Sequence, residues 1–259
     1  MISIVMSYYN RIDLLRYTLK TFTESQENDF EVIIVDDFSS AEHNIDNINV
    51  EFPSLNIKVI NMAKRGTKTW FNPCIPYNVG FRESSGDIII IQNPECCHVG
   101  DVISYVKNNI NDGNYLTFHC WACNRNDVRT LHSGGKISVG HEYNIRKTKW
   151  YNHKDHHPVA YHFTSAITRK NLCELNGFDE SFAHGHSYDD DEFKQRIVNK
   201  GLSIEFVADP YVIHQWHPKL YNNPLAPPAT VDNRQLLANL NSASPPIIRA
   251  NNTEPICGI

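Results

Sequence analysis

No stretch of this 259-residue chain is apolar over the roughly 20 residues that a membrane-spanning helix requires. Nor is there an excess of positive charge. Lysine and arginine number 24 against 29 aspartates and glutamates, a net charge of -5, and nothing in that balance suggests a nucleic-acid or anionic-membrane binder. The first apolar run begins at residue 2 and leaves no room for a leader, so the expectation is a chain without a cleaved signal, in a cytoplasmic setting. The cysteines lack a metal-binding pattern. Of the seven, Cys96 and Cys97 are adjacent and Cys120 and Cys123 are spaced as half of a zinc site, but no second pair follows at standard spacing. They read as reduced, mostly buried thiols. Glycine is missing from the loop Ser7-Tyr8-Tyr9-Asn10-Arg11, which argues against a nucleotidyltransferase with a phosphate loop after its first strand.

What is present is the composition of a soluble globular protein, 41% hydrophobic and 20% charged, with length enough for a large core. Ile2 to Met6 reads as a strand, and Ile12, Leu15, Leu19 and Phe22 recur at helical spacing. Phe30 to Val35 and Ile57 to Asn61 are further strands, and Ile88 to Ile91 is apolar throughout and hence central. Asn72-Pro73 reads as the cap and first residue of a helix. The alternation predicts an α/β fold, with a mostly parallel, doubly wound sheet flanked by helices in one catalytic domain over residues 1–220. Residues 221–259 are a Pro- and Asn-rich tail, expected to act as a lid or a linker. Ligands of such sheets bind outside the carboxyl ends of the strands, where Tyr9, Asn10, Asp36 and Asp37 fall. Arg65 and Lys68, in a basic connection before a helix, form a candidate diphosphate cradle.

The stretch around which the rest is organised runs from Asn176 to Phe193, NGFDESFAHGHSYDDDEF. It passes through a Gly/His loop and delivers Asp189, Asp190, Asp191 and Glu192 to a helix start, with Phe193, Ile197 and Val198 spaced to bury one helix face. Carboxylates at a helix N-terminus are stabilised by its dipole, which is one sufficient reason for acids there. A carboxylate pinned beside a loop-lined space is also placed to take a proton.

These residues resemble the acceptor-side motif of GT-A glycosyltransferases of the galactosyltransferase and chondroitin-polymerase type, whose loop reads Gly-Trp-Gly-Gly-Glu-Asp. Here it reads Gly185-His186-Ser187-Tyr188-Asp189-Asp190. The resemblance puts the general base at Asp190, with Asp189 and Glu192 as competitors. Ile-Ile-Val-Asp36-Asp37-x-Ser-Ser after Ser-Tyr-Tyr-Asn-Arg is similar to the nucleotide-binding half of family 2 glycosyltransferases. There a strand-end acid accepts from uracil and the first loop stacks on the base; which of the two aspartates does so stays open. Where that family has Arg-Asn-x-Gly, this chain has Tyr77-Asn78-Val79-Gly80. Where GT-A enzymes have Asp-x-Asp, it has Asn93-x-Glu95, and the resemblance makes Glu95 a metal ligand and Asn93 a weaker one. About twenty residues beyond the acids, His214 is implied as the second metal ligand, with His217 as the alternative.

The implied GT-A protein is an inverting, UDP-sugar-dependent hexosyltransferase using Mn²⁺, or Mg²⁺, with donor contacts at Tyr9, Asn10, Asp36, Asp37, Arg65, Lys68, Asn78 and Asn93. Its acceptor is a glycan, a protein or a lipid-linked sugar. The rival from another class is a non-catalytic sugar-nucleotide or glycan-binding module whose altered Asn93-x-Glu95 no longer supports turnover. A second metal site at His153, His156 and His157 is the lesser reading of a polar loop rich in histidine.

Overall fold

The computed structural model describes residues 1–140, 149–218 and 229–258. The junction of domain and tail expected at residues 220 and 221 lies outside them. Four strands and their crossovers build the first half: β1 (Ile2–Tyr8), α1 (Ile12–Phe22), β2 (Phe30–Asp36), α2 (Ile48–Glu51), β3 (Ile57–Asn61), α3 (Cys74–Glu83) and β4 (Ile88–Gln92). They pair in parallel in the order β3-β2-β1-β4, with Tyr8 beside Asp36 and Met6 beside Gln92. Side chains alternate across these strands. Ile4, Met6 and Val32 pack with Leu15 and Leu19 of α1, whereas Val5, Ile33 and Ile91 pack with Tyr77 and Phe81 of α3. Gly80 lets α3 approach this closely, because a Cβ there would collide with Val5. Both faces are therefore covered, as a parallel sheet requires.

The second half is mixed rather than parallel. It comprises β5 (Cys96–Val99), α4 (Val102–Asn109), β6 (Asn114–Ala122), α5 (Arg125–His132), β7 (Trp150–Asn152), β8 (Thr164–Thr168), α6 (Arg169–Leu175), α7 (Asp189–Asn199), β9 (Ser203–His214) and α8 (Asn233–Asn241). The sheet continues from β4 through β8, β6 and β9 to β5, with β7 also on β6; β8 is antiparallel to β4 and β6, and β9 parallel to β6. Asp209-Pro210 stands in the middle of β9. The ladder shifts register there, opposite Phe118 to Cys120, and a bulge is where a proline without an amide hydrogen does least harm to a strand. Val198 is also corrected. It is half exposed, and the buried stripe of α7 is Asp189, Glu192, Phe193, Arg196 and Ile197.

The tail is tied to the body at the end of α6. Ala250 N donates to Leu175 O (3.0 Å), Asn252 Nδ2 to Asn176 O (2.7 Å) and Ile256 N to Asn176 Oδ1 (2.9 Å). Ile256 is buried beside Gly177, whose φ of +68° belongs to the turn read at Asn176-Gly177. Cys173 and Cys257 form a disulfide, which corrects the reading of all seven cysteines as thiols. The two lie 84 residues apart and only the fold brings them together. The other five are free and buried. No helix among the described residues is long and apolar enough to cross a membrane.

Candidate active site

A cleft of about 280 Å³ opens at the carboxyl ends of β1, β2 and β4, lined by Tyr9, Arg11, Asp37, Lys68, Tyr77, Asn93, Glu95 and His162 among others. Two strand-end loops make one side of it. Asn10, held at φ 50°, donates its amide to Ser39 Oγ (3.1 Å) and accepts from Ser40 N (2.8 Å), which locks the β1 and β2 loops together. The two aspartates that the sequence could not separate take different places. Asp36 turns into its own loop and accepts from Ser39 N (2.9 Å). Asp37 faces the cleft, accepting from Lys68 Nζ (2.5 Å) and Trp70 Nε1 (2.9 Å). Burial pushes both carboxyls up, against the opposing charge of Lys68 at Asp37. Lys68 also lies 5.4 Å from the centre of the Tyr9 ring.

Two residues expected at the donor are elsewhere. The Arg65 guanidinium donates to Glu83 Oε1 (2.7 Å), and Arg65 is not among the cleft residues. Asn78 is fully buried, donating to Phe178 O (2.8 Å) and Glu180 Oε1 (2.9 Å) and accepting from Phe178 N (2.9 Å). It joins α3 to the loop before the acids. Asn72 departs by one position from the expected cap: its Oδ1 accepts from Cys74 N (3.0 Å), and the helix begins after Pro73.

At the end of β4, Tyr77 Oη donates to Asn93 Oδ1 (2.9 Å), and Glu95 is buried. Glu95 Oε1 lies 3.3 Å from His214 Nε2, 3.5 Å from His217 Nε2 and 2.8 Å from Arg11 Nη1. Its Oε2 is buried without a hydrogen-bond partner. Burial alone would raise this carboxyl, yet the Arg11 charge and the two imidazoles hold it well below the usual range. Glu95, His214 and His217 present ligand atoms within 4.8 Å of one another, the one such cluster among the described residues. A carboxylate with an orphaned oxygen and two imidazole nitrogens fits a divalent ion. Gln215 positions the set. Its amide and Nε2 both donate to Glu95 O (2.9 and 3.2 Å), Nε2 donates also to Leu14 O (3.0 Å), and Oε1 accepts from His132 (2.7 Å).

The second histidine cluster is differently employed. His153 Nδ1 accepts the amides of Asp155 and His156, and its ring lies 4.0 Å from that of His119, whose imidazole is pushed down to about 4 by burial and by His153.

The four acids separate by partner. Asp189 Oδ1 accepts from Asn72 Nδ2 (2.6 Å), Asp191 Oδ1 from Tyr161 Oη (2.8 Å), and Glu192 is paired with Arg196 inside the core. Asp190 Oδ1 has only the amide of Asp191, at 3.2 Å, and no side chain is hydrogen-bonded to it among the described residues. Asp190 is half-buried, and burial, then the charges of Asp189 and Asp191, hold its carboxyl well above the ordinary range. Ser187 and Tyr188, at φ 55° and 67°, carry the strained turn that delivers these acids.

Rings connect the two groups. Tyr161, bonded to Asp191, lies 6.3 Å from Phe163, Phe163 stacks on Tyr151 at 5.6 Å, and Tyr151 meets His214 edge-on at 4.9 Å. His162 was not anticipated. It is buried on the cleft wall against Tyr77 and Phe178, its Nδ1 unpartnered, and burial lowers its pKa although Asp189 opposes this. Arg11 was read only as part of a stacking loop. No local pattern distinguishes either residue, since their partners lie far along the chain.

Residues 3–175 match the family model described as glycosyl transferase family 2, and residues 161–218 match that of the N-terminal domain of galactosyltransferase. No curated protein sequence matches the chain. Among solved structures, S. aureus TarS 1-349 in complex with UDP-GlcNAc is similar with a TM-score of 0.65 at 13% identity, over 94% of this chain and 67% of that one. The same TarS fragment with UDP gives 0.60 at 15% identity over 84% of this chain, which spans only 61% of that length. GalNAc-T7 with UDP, GalNAc and Mn²⁺ gives 0.62 at 14% identity, covering 93% and 48%. A mannosyltransferase from Pyrobaculum calidifontis with GDP-Man and Mn²⁺ gives 0.54 at 16% identity, covering 82% and 56%.

Proposed function

The chain belongs to glycosyl transferase family 2, and from that premise we propose that it is an inverting transferase carrying a hexose or N-acetylhexosamine from a UDP-sugar to an acceptor hydroxyl. The observation that carries the reading is the sorting of four consecutive acids into three that are bonded to side chains and one, Asp190, that is not. A base must keep its lone pairs for the substrate, and a raised pKa brings it closer to the hydroxyl it deprotonates. Of the competing candidates, Glu192 has both oxygens on Arg196 inside the core and Asp189 has one on Asn72.

In this reading Asp37 accepts from the uracil N–H while Tyr9 offers a ring face to the base; a carboxylate has lone pairs beyond those that Lys68 and Trp70 use. Lys68 and Arg11 are the cations within reach of the diphosphate, and Asn93 is oriented by Tyr77. Glu95, His214 and His217 would hold a divalent ion, Mn²⁺ in preference to Mg²⁺ because imidazole nitrogen suits the softer ion. The ion supplies Lewis-acid stabilisation of the leaving diphosphate. Asp190 takes the proton of an acceptor hydroxyl, whose oxygen attacks the anomeric carbon from the face opposite the departing UDP. In this reading the aromatic row Tyr161, Phe163 and Tyr151, which runs from Asp191 to His214, packs against the acceptor sugar.

A panel of UDP-sugars with Mn²⁺ or with EDTA tests the reading. UDP release from one donor, lost on chelation and in Glu95→Gln, is the expected result. UDP-sugar binding without turnover across a broad acceptor set would instead support a non-catalytic binding module.

A further inference from the structure

Resting on the ion-site reading above, we infer that Arg11 keeps that site closed until a diphosphate arrives, so that ion and diphosphate enter the cleft together. Arg11 stands between β1 and α1, at the position that caps α1, and its side chain is 23% exposed. Its Nη1 donates to Glu95 Oε1 at 2.8 Å, the same oxygen that His214 Nε2 and His217 Nε2 approach at 3.3 and 3.5 Å. Three groups thus converge on one carboxylate oxygen. A buried carboxylate needs a cation beside it, and the Arg11 guanidinium is one.

The pair is nevertheless incomplete. Glu95 Oε2 and Arg11 Nε are both buried without hydrogen-bond partners, which leaves one acceptor ready for a cation and one donor ready for an anion. A divalent ion drawing on Glu95 and a guanidinium bonded to its Oε1 repel each other strongly beside so buried a carboxylate. Arg11 must therefore leave Glu95 before the ion is held well. The destination is in the same cleft, where a diphosphate can take the planar fork through two parallel hydrogen bonds. Lys68, the other cation there, is already committed to Asp37. The exchange keeps every charge paired: Glu95 passes from guanidinium to ion, and Arg11 passes from carboxylate to phosphate. Whatever factor the diphosphate adds to ion affinity, the ion returns to diphosphate affinity.

Binding of Mn²⁺ alone, followed by the electron paramagnetic resonance of the free ion, separates this from a purely structural ion pair. In the absence of UDP, Arg11→Met is expected to bind Mn²⁺ at least ~10-fold more tightly than the wild type, within the usual range of coupling between sites. Arg11→Lys, which keeps a cation against Glu95, should stay close to the wild type and serves as the folded control. Adding UDP should raise Mn²⁺ affinity by a larger factor in the wild type than in Arg11→Met. Adding Glu95→Gln to Arg11→Met should abolish the tight binding. Equal or weaker Mn²⁺ affinity in Arg11→Met, with affinity in the presence of UDP intact, would overturn the inference while leaving the ion site standing. Absence of Mn²⁺ binding by the wild type even with UDP would remove both.

Discussion

Asp190→Asn is expected to lower glycosyl transfer by roughly 10² to 10⁴ while UDP binding persists and the protein becomes more thermostable at neutral to alkaline pH. The loss follows from removing the carboxylate proposed as base. The gain in stability follows from the same raised pKa. A carboxyl that titrates higher in the folded state than in the unfolded chain contributes fully only below its unfolded pKa, and that contribution disappears as pH rises through the folded value. Above that folded value the wild type therefore holds an unfavourable charge between Asp189 and Asp191 that asparagine lacks. Below the ordinary carboxylate range the two proteins should melt alike. Transfer rates and thermal melts on the same samples check both halves, and a variant that is inactive because it is less stable would count against the assignment. Within that assignment, wild-type turnover should rise with pH as Asp190 ionises. The corresponding changes at Asp189 or Asp191 weaken the charge-assisted hydrogen bonds from Asn72 or Tyr161 and should reduce stability instead.

The largest expected effect on stability belongs to Arg196, the bulkiest fully buried side chain among the described residues. Its guanidinium donates to both oxygens of Glu192 (2.5 and 2.7 Å), to Leu175 O (2.7 Å) and to Gly177 O (2.9 Å). It thereby fastens α7, and with it the acids, to the turn that ends α6. Arg196→Met leaves Glu192 charged and alone in the core and orphans two carbonyls, a loss of about 3–5 kcal/mol. For a chain of this length that is on the order of 10 °C in Tm. The double change Glu192→Leu with Arg196→Met should recover much of the loss, because an apolar pair of similar volume avoids the desolvation of both ions. Thermal melts of the single and double variants measure this directly. A single variant as stable as the wild type would mean that Arg196 does not anchor the acid helix.

The first half of the sheet was legible because each strand there is a short unbroken apolar run followed by a loop and a helical repeat. Ile57–Asn61 appears in the structure with the bounds read from its residues. The strand at Asn114–Ala122 was not legible. It is buried along nearly all its length, yet it carries Asn, Thr, His and Cys, so neither alternation nor a pure apolar run marks it. Its polar groups are satisfied by partners distant in sequence, such as Asn152, which donates to Thr117 Oγ1 (2.9 Å). The candidate site divides in the same way. Glu95, His214 and His217 were singled out by the resemblance alone, since an acid or a histidine at a strand end is by itself an ordinary structural residue. Arg65 and Asn78 were misplaced because a basic charge or an amide in a loop says nothing of which way it turns. Each proved to be held by a neighbour, Glu83 and Phe178 respectively. Separating Asp36 from Asp37, and Asp190 from its neighbouring acids, required knowing which oxygens were already taken.

The central claim is that one cleft brings together the nucleotide, the ion and the base. A crystal structure of the full chain with UDP and Mn²⁺, recorded with the anomalous signal of manganese, tests it most directly. The account predicts uracil against Asp37 and Tyr9, one manganese peak shared by Glu95, His214, His217 and the diphosphate, and Asp190 facing the space beyond the β-phosphate with no protein side chain bonded to it. Uracil bound away from Asp37, or manganese bound without Glu95, would contradict it.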